Sequence, residues 1–366
     1  MKKSLHLKPP HRAAHAAAVI RSWSVVLLVS AVAAAAQALP ATHIAAAAAP
    51  PAAVAAQQQQ RKQQAHIPTI IANADLVNMV FSVEDKHGAF VPDMNVSDFR
   101  VLEDRQPQQI QFFSQEQQLP LTLGLLLDTS PSQASLLPEE QQISDNFFRL
   151  VLRPTDLAFV IGFDINTMLL QDLTASVPIL SRAVNGAHIG GGDASSYSVE
   201  GGLPGPHSTG ATHLWDAIYL ACHDELAHQA GRKAIVVVTD GGEQGSTYTH
   251  QDALDAALAS NTAVFAIMAY DRSFGYYRGG GPGQLQKIAE STGGRSINAG
   301  SKLAQAYDAI QRELRSQYTL GYRSTFTAHD GSFHRVQIEL TPAAAKLHPG
   351  AKVRARTGYY ADKDKQ

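Results

Sequence analysis

The stretch from residue 121 to 132, LTLGLLLDTSPS, constrains the fold more than any other part of the chain. Its first seven residues are almost all apolar, whereas a strand exposed on one face would alternate apolar and polar residues. The pattern therefore predicts a central strand covered on both faces, as in the parallel sheets of α/β proteins. Such folds place ligands at the carboxyl ends of their strands. The loop that follows this strand offers carboxylate and hydroxyl oxygens, which suit Mg²⁺, Mn²⁺ or Ca²⁺ better than soft metals.

Further segments continue the α/β pattern as far as residue 317. Buried strands are predicted at 156–163, 233–240 and 262–270, with a hairpin partner for the first of them at 166–172. Helices are predicted between the strands, at 139–152, 176–185, 213–229, 250–259, 285–291 and 303–314. Residues 119–317 are therefore expected to form a doubly wound, mostly parallel sheet with helices on both faces.

Short strand-like segments flank this predicted domain on both sides. Those before it, at 77–83, 99–103 and 109–113, are separated by turn signals and are interpreted as strands joined by hairpins. Those after it lie at 318–323, 334–340 and 352–359. Neither set is large enough to bury a core alone, so residues 67–118 and 318–361 are expected to pack together as one small β module.

The first 66 residues have the features of an export signal followed by a spacer. Five basic residues precede the apolar stretch 23–36, and Ala36-Gln37-Ala38 has the small-x-small form of a cleavage site. We interpret residues 1–38 as a signal peptide, with an uncleaved signal anchor as the alternative. Residues 39–66, rich in Ala, Pro and Gln, are expected to be a disordered linker. The protein is then secreted, periplasmic or attached to the cell envelope, with no membrane insertion after cleavage.

Charge and cysteine content exclude several classes of function. The formal net charge is -2 and no basic patch stands out, so nothing favours nucleic acid binding. The single cysteine, Cys222, excludes an intramolecular disulfide and a multi-cysteine zinc site. It lies in an apolar stretch and is interpreted as a small buried hydrophobic residue.

Three distant loops are expected to meet at one edge of the sheet. They follow the strands that end at residues 127, 239 and 270, and the carboxyl ends of parallel strands share an edge. The side chains placed there form a set of oxygen donors with little charge: Asp128, Ser130, Ser132, Asp240 and Asp271. Taken alone, Ser130 and Ser132 are better explained as caps of the following helix, and Asp240 as a turn residue at the end of a strand.

Three motifs in this order resemble the von Willebrand factor A (VWFA) domain and its metal-ion-dependent adhesion site. They are Asp128-x-Ser130-x-Ser132, the segment 210–218 that contains Thr212, and the segment 236–241 that ends Thr-Asp-Gly. The resemblance implies that Mg²⁺ or Mn²⁺ is bound and that a carboxylate of a protein partner completes its coordination. It assigns the ligands to Asp128, Ser130, Ser132, Thr212 and Asp240. The flanking segments 98–104, 109–113 and 356–360 look like secreted bacterial VWFA-related proteins.

Other residues near the predicted site receive secondary roles. His213 and His250 are interpreted as structural, because lone histidines seldom ligate a metal beside hydroxyls and carboxylates. Asp216 is interpreted as a helix-surface or loop-bracing acid. Glu243 and Pro131 depart from the family pattern without removing a ligand. The loop 271–283, with Asp271, Tyr276 and Tyr277, is expected to contact the partner together with the loop 186–210.

The sequence supports three hypotheses of function. The first is an exported binding or adhesion module, not an enzyme, that engages a protein partner through a divalent cation. The second is a phosphatase-like hydrolase with Asp128 as nucleophile, but haloacid-dehalogenase-type enzymes have a second Asp two residues on, where this chain has Ser130. The third is a scaffold whose metal site is vestigial.

Overall fold

A computed structural model describes residues 76–115, 119–190, 212–270, 281–300, 302–326 and 330–361. The predicted signal peptide and linker lie outside the described residues, as do Asp271, Tyr276 and Tyr277. Within the described ranges, no helix is both long enough and apolar enough to span a bilayer.

Fourteen strands are described. They are β1 (Leu76–Glu84), β2 (Phe99–Glu103), β3 (Gln106–Gln108), β4 (Ile110–Gln115), β5 (Leu121–Asp128), β6 (Leu157–Phe163), β7 (Thr167–Thr174), β8 (Arg232–Thr239), β9 (Thr262–Met268), β10 (Ser296–Asn298), β11 (Tyr318–Arg323), β12 (Phe333–Leu340), β13 (Lys352–Ala355) and β14 (Gly358–Tyr360).

The α/β domain is built on a six-stranded sheet in the order β10-β9-β8-β5-β6-β7. All neighbours are parallel except β7, which pairs with β6 in the antiparallel sense. The central strand β5 lies between β6 and β8, and all eight of its residues are buried. This confirms the mostly parallel sheet and the doubly covered central strand that the sequence predicts.

Helices cover both faces of this sheet. They are α1 (Leu137–Val151), α2 (Val177–Asn185), α3 (Leu214–Leu220), α4 (His250–Ala259), α5 (Gly281–Ser291) and α6 (Leu303–Arg315). A further helix, α7 (Pro342–Leu347), follows β12 and packs with the flanking strands instead. One apolar cluster contains α1, α2 and α6 with one face of the sheet, and a second contains α3, α4 and α5 with the other. The layered arrangement follows from the apolar stripe of each helix, which must be buried against the sheet.

The flanking strands form two four-stranded sheets, and each sheet combines strands from both ends of the chain. Their orders are β13-β1-β11-β4 and β14-β12-β2-β3. Side chains from both sheets share one apolar cluster, in which Phe81, Phe99, Phe113 and Tyr318 pack ring against ring. The predicted association of N-terminal and C-terminal strands is therefore confirmed.

A buried ion cluster joins these strands to the α/β domain. The Arg295 guanidinium contacts both Glu84 of β1 and Glu313 of α6, and Glu313 is completely buried. Ser82 of β1 also donates a hydrogen bond to Glu313, over 3.0 Å. The cluster fixes the position of β1 relative to α6, because each charge depends on the other for compensation.

We expect Arg295→Met to destabilise the protein by about 3 kcal/mol, because it leaves the buried carboxylate of Glu313 with only the more distant guanidinium of Arg354, at 3.8 Å. Arg149→Met is the matched control, since its ion pair with Asp145 is exposed and should contribute less than about 1 kcal/mol. Urea denaturation of both variants measures the difference. Equal losses of stability in the two variants would show that Arg295 contributes no more to stability than an exposed ion pair does.

Three predicted details are wrong. The predicted helix 213–229 ends as α3 at Leu220 and continues in a π-helical turn, Ala221–Glu225. The N-terminal strands are not joined in one hairpin series, because β1 pairs with β11 and β13 while β2 pairs with β3 and β12. The predicted strand 352–359 is divided into β13 and β14, and the short helix α7 was not predicted.

Candidate metal site at the carboxyl edge of the sheet

Asp128 is the last residue of β5 and its side chain is completely buried. Oδ1 accepts a hydrogen bond from the Ser130 amide at 2.9 Å, and Oδ2 accepts one from the Thr239 hydroxyl at 2.5 Å. The pKa of Asp128 is raised to about 7: burial is the main cause and the nearby Asp240 carboxylate adds to it, while the hydrogen bonds from Ser130 and Thr239 oppose the shift. Asp128 is therefore a buried acid whose charge is only partly compensated by hydrogen bonds.

The two serines of the loop after β5 lie side by side. Their Oγ atoms are 3.0 Å apart, and Ser130 is nearly buried. A short 3₁₀ turn, Pro131–Gln133, begins directly after Ser130 and places Pro131 at a position where a fixed φ suits the turn. Gln133 then donates a side-chain hydrogen bond to the carbonyl of Ala269 over 3.3 Å. Pro131 thus belongs to an anchored turn and removes no oxygen from the site.

The side chains of Asp240 and Thr212 both lie close to Gly242. The Gly242 amide donates to Asp240 Oδ1 at 2.8 Å, and a Cβ added to Gly242 would lie 3.0 Å from that oxygen and 3.9 Å from Thr212 Oγ1. Thr212 is held in place by a β-bridge with Gln244, whose amide donates to the Thr212 carbonyl at 3.0 Å. The structure therefore brings the predicted residues after β8 and before α3 to the edge where Asp128 lies.

The described ends of both long loops return to this edge. The Gly190 amide donates to the carbonyl of Thr129, within the Asp-x-Ser-x-Ser loop, over 3.0 Å. Gly281, the first residue of α5, packs so closely on Gly241 that a Cβ would lie 2.1 Å from the Gly241 carbonyl oxygen. Gly241 itself has a positive φ of 82°, which favours glycine. Residues 191–211 and 271–280 lie outside the described residues.

Glu243, noted in the sequence only as a departure from the family pattern, has a structural role that was not predicted. Its Oε2 accepts hydrogen bonds from the amides of Leu214 and Trp215, at 3.0 and 3.3 Å, and from the Ser246 hydroxyl at 2.8 Å. It therefore caps the first turn of α3, directly after Thr212. Burial raises the pKa of Glu243, and these hydrogen bonds oppose the shift. The acid in the loop after β8 thus fixes the segment that presents Thr212.

Asp216 braces the same loop from the other side. Its two carboxylate oxygens accept hydrogen bonds from the amides of Thr247 and Tyr248, at 3.0 and 2.8 Å. Of the two predicted roles for Asp216, the loop-bracing role is the one observed. The backbone amide of His213 donates to the Asp164 carbonyl at 2.7 Å, and its side-chain Nδ1 lies 3.8 Å from Asp216 Oδ2. His250 lies against Trp215, with ring centroids 6.3 Å apart.

A second buried acid, Glu140, lies on the buried side of α1 near Asp128. Both of its carboxylate oxygens are buried without a hydrogen-bond partner among the described residues. Burial, and secondarily the charge of Asp128, raise the pKa of Glu140 to about 8. A carboxyl group in this environment is protonated at neutral pH.

We expect Glu140 to make the metal-free protein less stable as the pH rises. The pKa of Glu140 is higher in the folded state than in the unfolded state. The stability that its protonated carboxyl contributes is therefore fully present below about pH 4.5 and is lost as the pH approaches 8. Between these pH values unfolding releases the proton of Glu140, so the free energy of unfolding falls by about 1.4 kcal/mol for each pH unit. Glu140→Gln should flatten this dependence between pH 5 and 8, whereas the exposed Glu290→Gln should not. Denaturation at several pH values in EDTA measures both, and an unchanged slope in Glu140→Gln would contradict the assignment.

The donor set fits a hard divalent cation. It consists of two carboxylates, Asp128 and Asp240, and three hydroxyls, from Ser130, Ser132 and Thr212. These oxygens are the ligand type that Mg²⁺ and Mn²⁺ prefer. In the described part of the chain no cluster of three or more His, Cys, Asp and Glu side chains could hold a metal. A cation at this edge would offset the cost of ionising the buried Asp128.

Comparison with known proteins yields matches to solved structures, whereas no family model and no curated protein matches the chain. The Catenulispora acidiphila von Willebrand factor type A protein is 11% identical, with 80% of this chain and 74% of that chain covered, at a TM-score of 0.41. BatB of Bacteroides thetaiotaomicron is 19% identical, with 53% of this chain and 97% of that chain covered, also at a TM-score of 0.41. Proximal thread matrix protein 1 of the mussel byssus, with a zinc-occupied adhesion-site motif, is 16% identical, with 56% and 47% covered, at 0.41. At these identities the likeness concerns the fold alone.

Proposed function

We propose that this protein is an exported binding module that holds Mg²⁺ or Mn²⁺ at Asp128, Ser130, Ser132, Thr212 and Asp240 and engages an exposed carboxylate of a protein partner. The observation that carries the proposal is the buried Asp128 carboxylate, next to Asp240 and the paired serine hydroxyls. The two acids contribute a formal charge of -2 when ionised, which a divalent cation neutralises. When bound, such an ion would supply a Lewis-acidic centre that could accept a carboxylate of the partner.

Other residues orient the proposed metal ligands through hydrogen bonds. Thr239 and the Ser130 amide orient the Asp128 carboxylate, and the Gly242 amide orients that of Asp240. Glu243 holds the backbone of Leu214, just after Thr212, and the Gln244 amide holds the carbonyl of Thr212 itself. Such hydrogen bonds around ligands keep the donors in one arrangement and raise metal affinity. We extend the proposal to Asp271, Tyr276 and Tyr277, in the second loop, as partner contacts.

A binding role suits Asp128 better than nucleophilic catalysis. A nucleophile must present a free oxygen to a substrate, but Asp128 is fully buried and both of its oxygens accept hydrogen bonds from the protein. The phosphatase-like alternative therefore has no support from this geometry.

The test is capture of envelope proteins on the immobilised chain without its predicted signal peptide, residues 1–38. Three conditions are compared: with Mg²⁺, with excess EDTA, and after Mg²⁺ is restored. The proposal expects one or more proteins to be retained with Mg²⁺, released by EDTA and retained again. Asp128→Asn, which keeps the size of the side chain, should retain none of them. The exposed Asp308→Asn is the matched control and should behave as the wild type. Retention that is undiminished in EDTA would contradict the metal bridge.

A further inference from the structure

The amino edge of the parallel sheet, opposite the candidate metal site, holds a cavity of about 250 Å³. It lies between the starts of β5, β8 and β9 and the strand β1 of the flanking module. Its polar lining contains three cationic side chains, Arg232, Lys233 and Arg356, together with the neutral side chains of Asn78, Gln229, Asn261, Thr292 and Gln317. Among the described residues that line it, none is acidic.

The Arg356 guanidinium has no carboxylate partner among its hydrogen bonds. Arg356 is 8% exposed, and its Nη1 is buried without a hydrogen-bond partner among the described residues. Its other donors reach only uncharged acceptors, with Nη2 bonded to the Asn78 carbonyl at 2.8 Å and Nε to the sulfur of Met79 at 3.2 Å. An unpaired donor on a buried cation is costly, and such groups commonly mark the place of a missing ion or water.

Lys233 adds a second positive charge at the same cavity. Burial lowers the pKa of Lys233, and the charge of Arg356 lowers it further. Burial likewise lowers the pKa of Arg356 to about 10. Both shifts have the sign expected for cations that lack a counter-charge. The third cation, Arg232, is held by the Leu314 carbonyl at 2.7 Å and by the Gln317 side chain at 3.1 Å.

We propose that this cavity binds a small oxyanion of the size and charge of phosphate, with Lys233 and Arg356 as its principal ligands. An anion there would receive charge-assisted hydrogen bonds from both cations, which are stronger than bonds between neutral groups. The cavity is much larger than the roughly 30 Å³ that one water molecule occupies, so it has room for an anion of several heavy atoms. The amides of Asn78 and Gln229 would supply neutral donors around it.

The site would also couple the two parts of the chain. Lys233 belongs to β8 of the α/β domain, whereas Arg356 lies between β13 and β14 of the flanking strands. A bound anion would therefore stabilise the packing of one on the other. It would act at the edge opposite the metal site, and it requires none of the residues proposed to hold the metal.

The experiment uses inorganic phosphate as the probe, with EDTA present so that no divalent cation is available at the other edge. Thermal unfolding is followed across a phosphate titration at constant ionic strength, with chloride as the balancing anion. The wild type should be stabilised saturably, because only the folded state presents the site. Lys233→Met, which keeps the length of the side chain, should weaken phosphate binding by about tenfold or more, whereas Lys233→Arg should retain it.

Two controls separate this proposal from other effects. The exposed Lys287→Met removes a positive charge elsewhere and should respond as the wild type does. Asp128→Asn should also retain the phosphate response, so that failure of the metal site does not affect this test. Equal stabilisation by phosphate and chloride, or an undiminished response in Lys233→Met, would overturn the proposal. Phosphorus NMR of the wild type needs no variant, and phosphate resonances that keep their free line width at every protein concentration would also overturn it.

Discussion

Replacing Asp128 with asparagine is expected to abolish the binding of divalent cations while it stabilises the metal-free protein at pH 8. The metal loses a charged ligand at the centre of the site, and Asp128 is oriented by Ser130 and Thr239 for that role. Stability should rise, since burial raises the pKa of Asp128 to about 7 and the native state must ionise it at pH 8. The gain should be of order 1 kcal/mol, because asparagine keeps the volume but not the charge.

Calorimetric titration with Mn²⁺ measures the metal affinity of each variant, and urea denaturation of a separate sample in EDTA measures its metal-free stability. Asp128→Asn should lower the Mn²⁺ affinity and raise the free energy of unfolding. A substitution that merely damaged the fold would lower both. Asp308→Asn, at an exposed position of α6, should change neither. Retention of Mn²⁺ by Asp128→Asn would place the metal elsewhere.

Thr212→Ala is expected to weaken Mn²⁺ binding by about a hundredfold, whereas Thr212→Ser should remain within a few-fold of the wild type. The Thr212 hydroxyl lies near Asp240 at Gly242, but its backbone carbonyl is what accepts the hydrogen bond that anchors the segment. Alanine therefore removes one oxygen donor and leaves the bridge to Gln244 intact. Serine restores the oxygen without the methyl group.

The measurement is again Mn²⁺ titration, with hydrogen exchange of α3 as a check that the segment keeps its fold. If alanine and serine weaken binding equally, the hydroxyl of Thr212 is not a ligand. If neither substitution changes the affinity, Thr212 lies outside the metal site. In both cases the ligand set carried over from the VWFA resemblance would need correction.

Much of the fold could be predicted because its central strands are so nearly apolar. The segments that became β5, β8 and β9 are continuous hydrophobic runs, and such runs fit only strands covered on both faces. The pairing of the flanking strands was less accessible. β1 pairs with β11, and more than two hundred residues separate them, so periodicity shows that each is a strand but not which strand lies beside it.

Short or polar elements escaped prediction for a related reason. β3 contains Gln106, Pro107 and Gln108, which have no apolar periodicity, and its position is set by pairing with β2. The π-helical turn after α3 likewise gives no local signal, because residues 221–225 contain no Gly or Pro that would end a helical pattern. Tertiary contacts decide such elements, and a sequence pattern does not contain those contacts.

The candidate site divides in the same way. Asp128, Ser130, Ser132 and Asp240 follow apolar strands, so the sheet argument alone placed them at one edge. Thr212 was reached only through the family resemblance. Glu140 could have been noticed, since it lies seven and eight residues before Phe147 and Phe148 on the buried side of α1. Glu243 could not, because nothing local shows that it caps a helix that begins 29 residues earlier.

The measurement that tests the metal bridge most directly is water-proton relaxation in the presence of Mn²⁺ and the chain without residues 1–38. We expect one Mn²⁺ per chain, with enhanced relaxation because water occupies the positions that the protein leaves open. Adding a glutamate-containing peptide should lower the enhancement as its carboxylate replaces a water, and a matched glutamine peptide should not. Absence of enhancement with the wild type, or equal enhancement with Asp128→Asn, would contradict the account.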